Sequence, residues 1–128
     1  MKLKFYFLFI IALTLISCST DIQNNFSITN SCSEQIKVRA VLFDDEYFDF
    51  DDCIINPNDS KVIYGDKMLH TSTIERVDAL FKSITIEKNG IVSTINFADH
   101  TYWTAKDDTY KKTVTQNYTL LVKDEYFE

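Results

Sequence analysis

The sequence predicts an all-β domain: a two-sheet antiparallel sandwich of about six or seven short strands. Three observations predict it. Apolar and polar residues alternate with a period near two, in short runs, from residue 26 to residue 122. Asn89-Gly90 sits between two such runs, the strongest short-range cue for a β-hairpin. The chain is 45% hydrophobic and 14% aromatic with two glycines and one proline, which suits a packed core and excludes collagen-like or Gly/Pro-rich disordered chains. An immunoglobulin-like or transthyretin-like sandwich is the first expectation. A small β-barrel is the alternative, because both architectures bury alternate residues of each strand.

The chain opens on a basic pair, Lys2 and Lys4, followed by the uncharged run FYFLFIIALTLI from Phe5 to Ile16. At about 1.5 Å per helical residue that run spans roughly 18 Å, short of the roughly 30 Å hydrocarbon core of a bilayer. Its length and flanks fit the apolar region of a secretory signal peptide. Leu15-Ile16-Ser17-Cys18 comes directly after it. This tetrapeptide resembles the lipobox of bacterial lipoprotein precursors. The resemblance implies that the Cys18 sulfur receives a diacylglyceryl group and that residues 1–17 are cut away. A leader cleaved without lipid would want an A-x-A-like site, and the bulky Leu15 fits that poorly. Each buried methylene contributes about 0.8 kcal/mol, so two acyl chains anchor stably where one is marginal. Residues 18–25 are then expected to be a lipidated cysteine and polar tether, and residues 26–128 the folded domain. Ser19 stands where an aspartate would favour inner-membrane retention in some bacteria, so the outer membrane is expected in a cell that has one.

The formal net charge is −6, and losing residues 1–17 removes Lys2 and Lys4 and no acid, which leaves −8. Such a chain repels phosphate backbones, so no nucleic-acid partner is expected. A basic protein partner is compatible with that charge.

Along the domain, Phe26 and Ile28 share one face of a first strand, and Ile36, Val38, Ala40 and Leu42 share one face of a second. Asn56-Pro57-Asn58-Asp59-Ser60 is a turn cluster before a short strand at 61–64. Ser72-Thr73-Ile74-Glu75 matches a capping box, and Ile74, Val77 and Leu80 follow helical spacing. A short helix near 73–81 is expected there, crossing between the sheets. The Asn89-Gly90 hairpin pairs Lys88 with Ile91, Ile86 with Ser93 and Ile84 with Ile95, and puts Ile84, Ile86, Ile91, Ile95 and Phe97 on one face. Trp103 is expected in a loop before the last strand, which runs over 113–122 with Val114, Tyr118, Leu120 and Val122 inward.

Cys32 and Cys53 remain once Cys18 carries lipid. In an oxidising compartment a disulfide between them is expected, stabilising by about 3 kcal/mol through its closed loop. The densest charged feature is acidic: Asp44, Asp45, Glu46, Asp49, Asp51 and Asp52 interleave with Tyr47 and Phe48. An EF-hand would need a glycine in its loop and none occurs there, so no metal site is expected. The run reads as a solvated loop or as a contact patch for a protein partner, since aromatics are enriched in interfaces. Asp-Glu-Tyr-Phe occurs at 45–48 and again at 124–127, a coincidence in so aromatic and acidic a chain. His70 and the Asp99-His100 pair are isolated, and with glycine only at 65 and 90 neither a nucleophile elbow nor a phosphate-cradling loop can form. No cofactor and no catalysis are expected. The expected function is that of a lipid-anchored envelope protein working by protein contact, as an assembly or binding module. The alternative is an inhibitor or immunity-type lipoprotein that blocks a basic toxin or cell-wall hydrolase.

Overall fold

Inward-facing residues from seven of eight strands meet in one core between two four-stranded sheets, in a computed structural model that describes residues 21–43, 50–68 and 76–128. The strands are β1 (Asp21–Asn30), β2 (Ile36–Leu42), β3 (Phe50–Ile55), β4 (Ser60–Met68), β5 (Phe81–Lys88), β6 (Ile91–Val92), β7 (Trp103–Tyr110) and β8 (Thr113–Val122). A single helical turn, α1 (Val77–Leu80), precedes β5, and 3-10 turns occupy His100–Tyr102 and Asp124–Phe127. The first sheet has the order β4-β1-β8-β7 and the second β3-β2-β5-β6. The fold is therefore the all-β sandwich, not the barrel. The strand order departs from the immunoglobulin pattern, in which the first two strands share a sheet; here β1 and β2 lie in different sheets.

Every strand pair is antiparallel except β1 with β8, which run parallel from Asp21↔Thr113 to Asn30↔Val122. Burial follows the alternation that the sequence carries. In β2, Ile36, Val38, Ala40 and Leu42 are buried while Lys37 and Arg39 are exposed. Phe26 on β1 is the aromatic centre. It stacks on Tyr118 with ring centroids 4.8 Å apart and meets Phe81 and Trp103 edge-on at 5.5 and 6.0 Å. Burying such a side chain contributes about 1.5–3 kcal/mol, and each well-placed aromatic pair about 0.5–1.5 kcal/mol more.

Several local expectations change. Residues 21–25 are not tether but the first half of β1. One face of this strand is uncovered, and there Asn25 donates to Asn117 at 3.4 Å, while Asn24 points inward and is buried. Trp103 does not lie in a loop. It heads β7, is buried, and its Nε1 donates to the Phe97 carbonyl at 2.7 Å. The rest of β7 is exposed on both faces, so it lacks the alternation that would reveal a strand. In the hairpin, Lys88↔Ile91 and the Ser93 amide on the Ile86 carbonyl keep the expected register. Beyond them the Phe97 amide, not that of Ile95, reaches the Ile84 carbonyl. The extra residues loop out around Asn96, whose side chain accepts from the Ala98 amide at 3.1 Å. Ile91, on a two-residue edge strand, is consequently 54% exposed rather than inward. Helix α1 is one turn with no side-chain cap from Arg76, shorter than expected, and the capping-box residues 72–75 lie outside the described residues. It does connect strands of opposite sheets, β4 and β5.

One polar side chain ties the sheets together at their far end. Asn30 is fully buried at the close of β1. Its Nδ2 donates to the carbonyls of Glu34 at 2.8 Å and Ile55 at 2.9 Å, and its Oδ1 accepts from the Cys32 amide at 2.9 Å. Buried groups left without partners cost about 1–3 kcal/mol. Asn30→Ala is therefore expected to destabilise by about 2–4 kcal/mol in urea titration, with the denaturant slope unchanged.

Candidate functional site

The acidic run is the candidate to follow into the fold. Asp44, Asp45, Glu46, Tyr47, Phe48 and Asp49 lie outside the described residues, as do Cys18 and His70. Asp51 and Asp52 are on β3. Val38 pairs with Cys53 and the next pair is Ala40 with Phe50, so Asp51 and Asp52 together oppose Arg39. This is a β-bulge, and Asp52 takes a left-handed backbone within it, with φ 51°. Arg39 Nη2 lies 3.4 Å from Asp52 Oδ1, with both side chains more than half exposed. A pair so solvated contributes a few tenths of a kcal/mol at most. Its effect is on direction: the carboxylate is turned onto the outer face of the second sheet.

That face is built by register. Lys37 sits between Ile54 of β3 and Glu87 of β5, and Glu87 faces Val92 of β6. One row across the sheet therefore reads Ile54, Lys37, Glu87, Val92. Between this row and the Arg39–Asp52 pair runs a shallow groove of about 100 Å³, also lined by Thr85. A second depression of about 150 Å³ adjoins it beside Gln35, Asn89 and Gly90. Pockets that enclose small molecules are typically about 300–1,000 Å³. These are smaller, carry both signs of charge, and are rimmed by Ile54 and Val92, which are 44% and 54% exposed. Chemically this face offers donors, acceptors and an apolar rim arranged in rows.

The other sequence candidates are not drawn into it. Cys32 and Cys53 are free thiols, which corrects the expected disulfide. The register holds Cys53 opposite Val38 on β3, whereas Cys32 is on the loop before β2 with its Sγ 3.7 Å from the Val122 carbonyl. Burial pushes the Cys32 thiol pKa up, and the nearby Asp124 carboxylate adds to the rise. The Asp99 carboxylate accepts from the amide and hydroxyl of Thr101, both at 2.9 Å, and these bonds hold its pKa below the ordinary value. His100 Nδ1 lies 2.8 Å from Arg76 Nη2 and 3.3 Å from Asp78 Oδ2, in an exposed cluster beside α1 and away from both grooves. Among the described residues no three His, Cys, Asp or Glu side chains gather as a metal would need.

The second Asp-Glu-Tyr-Phe, at 124–127, is a structural clasp. Lys88 Nζ meets Asp124 Oδ1 at 2.5 Å, the Ser33 amide donates to Asp124 Oδ2 at 3.2 Å, and Lys88 lies 5.0 Å over the Phe127 ring. Tyr126 packs on Phe97 and Tyr102. Sequence reasoning missed both Arg39 and Lys88 as partners. Each carried a local signal, since Arg39 faces outward on β2 and Lys88 flanks the hairpin turn. The acid each one meets was set by long-range register.

No known protein family, curated protein or solved structure matches the chain.

Two measurements follow from these geometries. The hydrogen bond from Lys88 lowers the Asp124 pKa and raises that of Lys88. The Asp124 contribution is therefore present above the ordinary carboxylate value of about 4 and lost as pH falls through its lowered folded value. Asp124→Asn is expected to lower stability at neutral pH and to flatten the acid side of the stability–pH curve. In thiol titration of the native domain, Cys53, half-buried, is expected to react well before the buried Cys32. Equal protection of both until a reductant is added would show them joined.

Proposed function

We propose that this chain is an exported, lipid-anchored bacterial envelope protein that works by protein contact, without catalysis, through the β3 edge and outer face of its second sheet. The observation that carries the contact surface is the bulge at Asp51–Asp52 opposite Arg39. It joins one end of the acidic and aromatic run to a sheet edge, where exposed backbone can also recruit a further strand. Shallow grooves of mixed charge with an apolar rim support contact rather than enclosure of a substrate. The Leu15-Ile16-Ser17-Cys18 pattern supports the anchor. The charge of −8 after processing supports a basic partner, and a secreted toxin or cell-wall hydrolase held in check is the special case of that reading.

The test has two arms. Mass spectrometry of the processed amino terminus is expected to find a diacylglyceryl thioether on Cys18, absent in Cys18→Ser. Crosslinking in whole cells is expected to join the chain to a basic envelope protein. Tyr47→Ala with Phe48→Ala should weaken that capture about tenfold or more, as loss of central aromatic contacts does, without lowering the thermal midpoint. A bare Cys18 thiol overturns the anchor, and undiminished capture by the double variant overturns the contact surface.

A further inference from the structure

We propose that the β7–β8 turn, Tyr110-Lys111-Lys112, is a second membrane contact, seated on anionic lipid headgroups beside the anchor. This rests on the lipid-anchor reading above and adds an orientation to it. Distance comes first. The parallel register sets Thr113, the residue directly after the turn, beside Asp21, the first residue of β1. Only three chain steps separate Asp21 from Cys18. At about 3.5 Å per step they reach about 10 Å, and neighbouring strands lie about 4.8 Å apart. A lipid on Cys18 thus holds the start of β8 within about 15 Å of its own attachment point. Had residues 21–25 been free tether, this bound would not exist.

The chemistry of the turn fits that position. Tyr110 is 73% exposed, the most exposed large apolar side chain among the described residues. Tyrosine is a residue of membrane interfaces, with an apolar ring and a polar tip. Lys111 Nζ lies 5.4 Å over its ring, so ring and ammonium project together. The chain is strongly acidic, yet no acid occurs from Thr109 to Val122. The nearest acids along the ladders are Asp21, beside Thr113, and Asp108 and Asp107, opposite Thr115 and Gln116.

The backbone supplies an independent argument. The turn at Asn89-Gly90 uses residues suited to its positive φ values of 53° and 77°. The turn at 111–112 has a φ of 55° at Lys111, where glycine or asparagine would be unstrained. A lysine in this left-handed position carries strain that glycine would not, and such strain concentrates at positions whose side chain is used. Lysines near an anionic bilayer strengthen attachment about fivefold each.

The test uses the full chain, produced with its leader in a lipoprotein-processing bacterium, with the mass of the mature amino terminus recorded first. Tyr110→Trp is reconstituted into phosphatidylcholine vesicles with and without about one-third phosphatidylglycerol, both containing acyl-brominated lipid. Emission from position 110 is expected to be quenched severalfold more with the anionic lipid, while the buried Trp103 of the unsubstituted chain is not. Lys111→Glu with Lys112→Glu, added to Tyr110→Trp, should abolish that extra quenching with vesicle attachment and Cys18 mass unchanged. If Cys18 carries its lipid and position 110 is quenched no more with anionic lipid than without, the turn is not a headgroup contact and the anchor reading stands. If Cys18 carries no lipid, both fall.

Discussion

The parallel ladder between β1 and β8 is the constraint on which the rest of this molecule depends. It brings the first and last strands of the domain together along ten residue pairs in the middle of one sheet. Parallel neighbours cannot be joined by a tight turn, and here nearly the whole domain forms the connection between them. β4 can then flank β1, and β7 can flank β8. The same register puts the β7–β8 turn at the end where the chain enters the fold, and puts Asn30 and Val122 together at the other end.

Because β1 has neighbours on both sides, its inner face can hold the centre of the core. Phe26 touches aromatics carried by β4, β5, β7 and β8, so a single side chain links both sheets. Asn30 links them again through hydrogen bonds to the loop before β2 and to β3. The ladder also carries a cost. Asn24, inward on β1 and fully buried, has no hydrogen-bond partner for either side-chain atom. An unsatisfied buried amide opposes folding by about 1–3 kcal/mol, and the flanking ladders and the aromatic cluster offset it.

The two surfaces with functional readings lie in different parts of this frame. The bulge on β3 belongs to the second sheet and turns the Asp52 carboxylate onto its outer face. The Tyr110–Lys112 turn belongs to the first sheet and lies at the end where β1 begins. On the proposed reading, a domain seated by its entry end would leave the outer face of the second sheet open. Anchoring and recognition would then act through separate elements and could be altered separately.

Sequence alone determined what local pattern can determine. Alternation marked β2 and β8, Asn89-Gly90 set the first pairs of a hairpin, and the break in alternation marked the crossing before β5. One-sided burial implied two facing sheets. The tertiary structure decided what depends on partners far along the chain: the parallel pairing of β1 with β8, the order of strands, the separation of Cys32 from Cys53, and the acids that Arg39 and Lys88 meet. Strand β7 was illegible because an edge strand overhanging the core exposes both its faces and leaves no period to read. Residues 21–25 looked like tether because four of the five are polar, and polar side chains, even the buried Asn24, read alike on a strand and on a loop. Periodicity reports only whether a face is covered; which strand covers it is settled by packing of the whole chain.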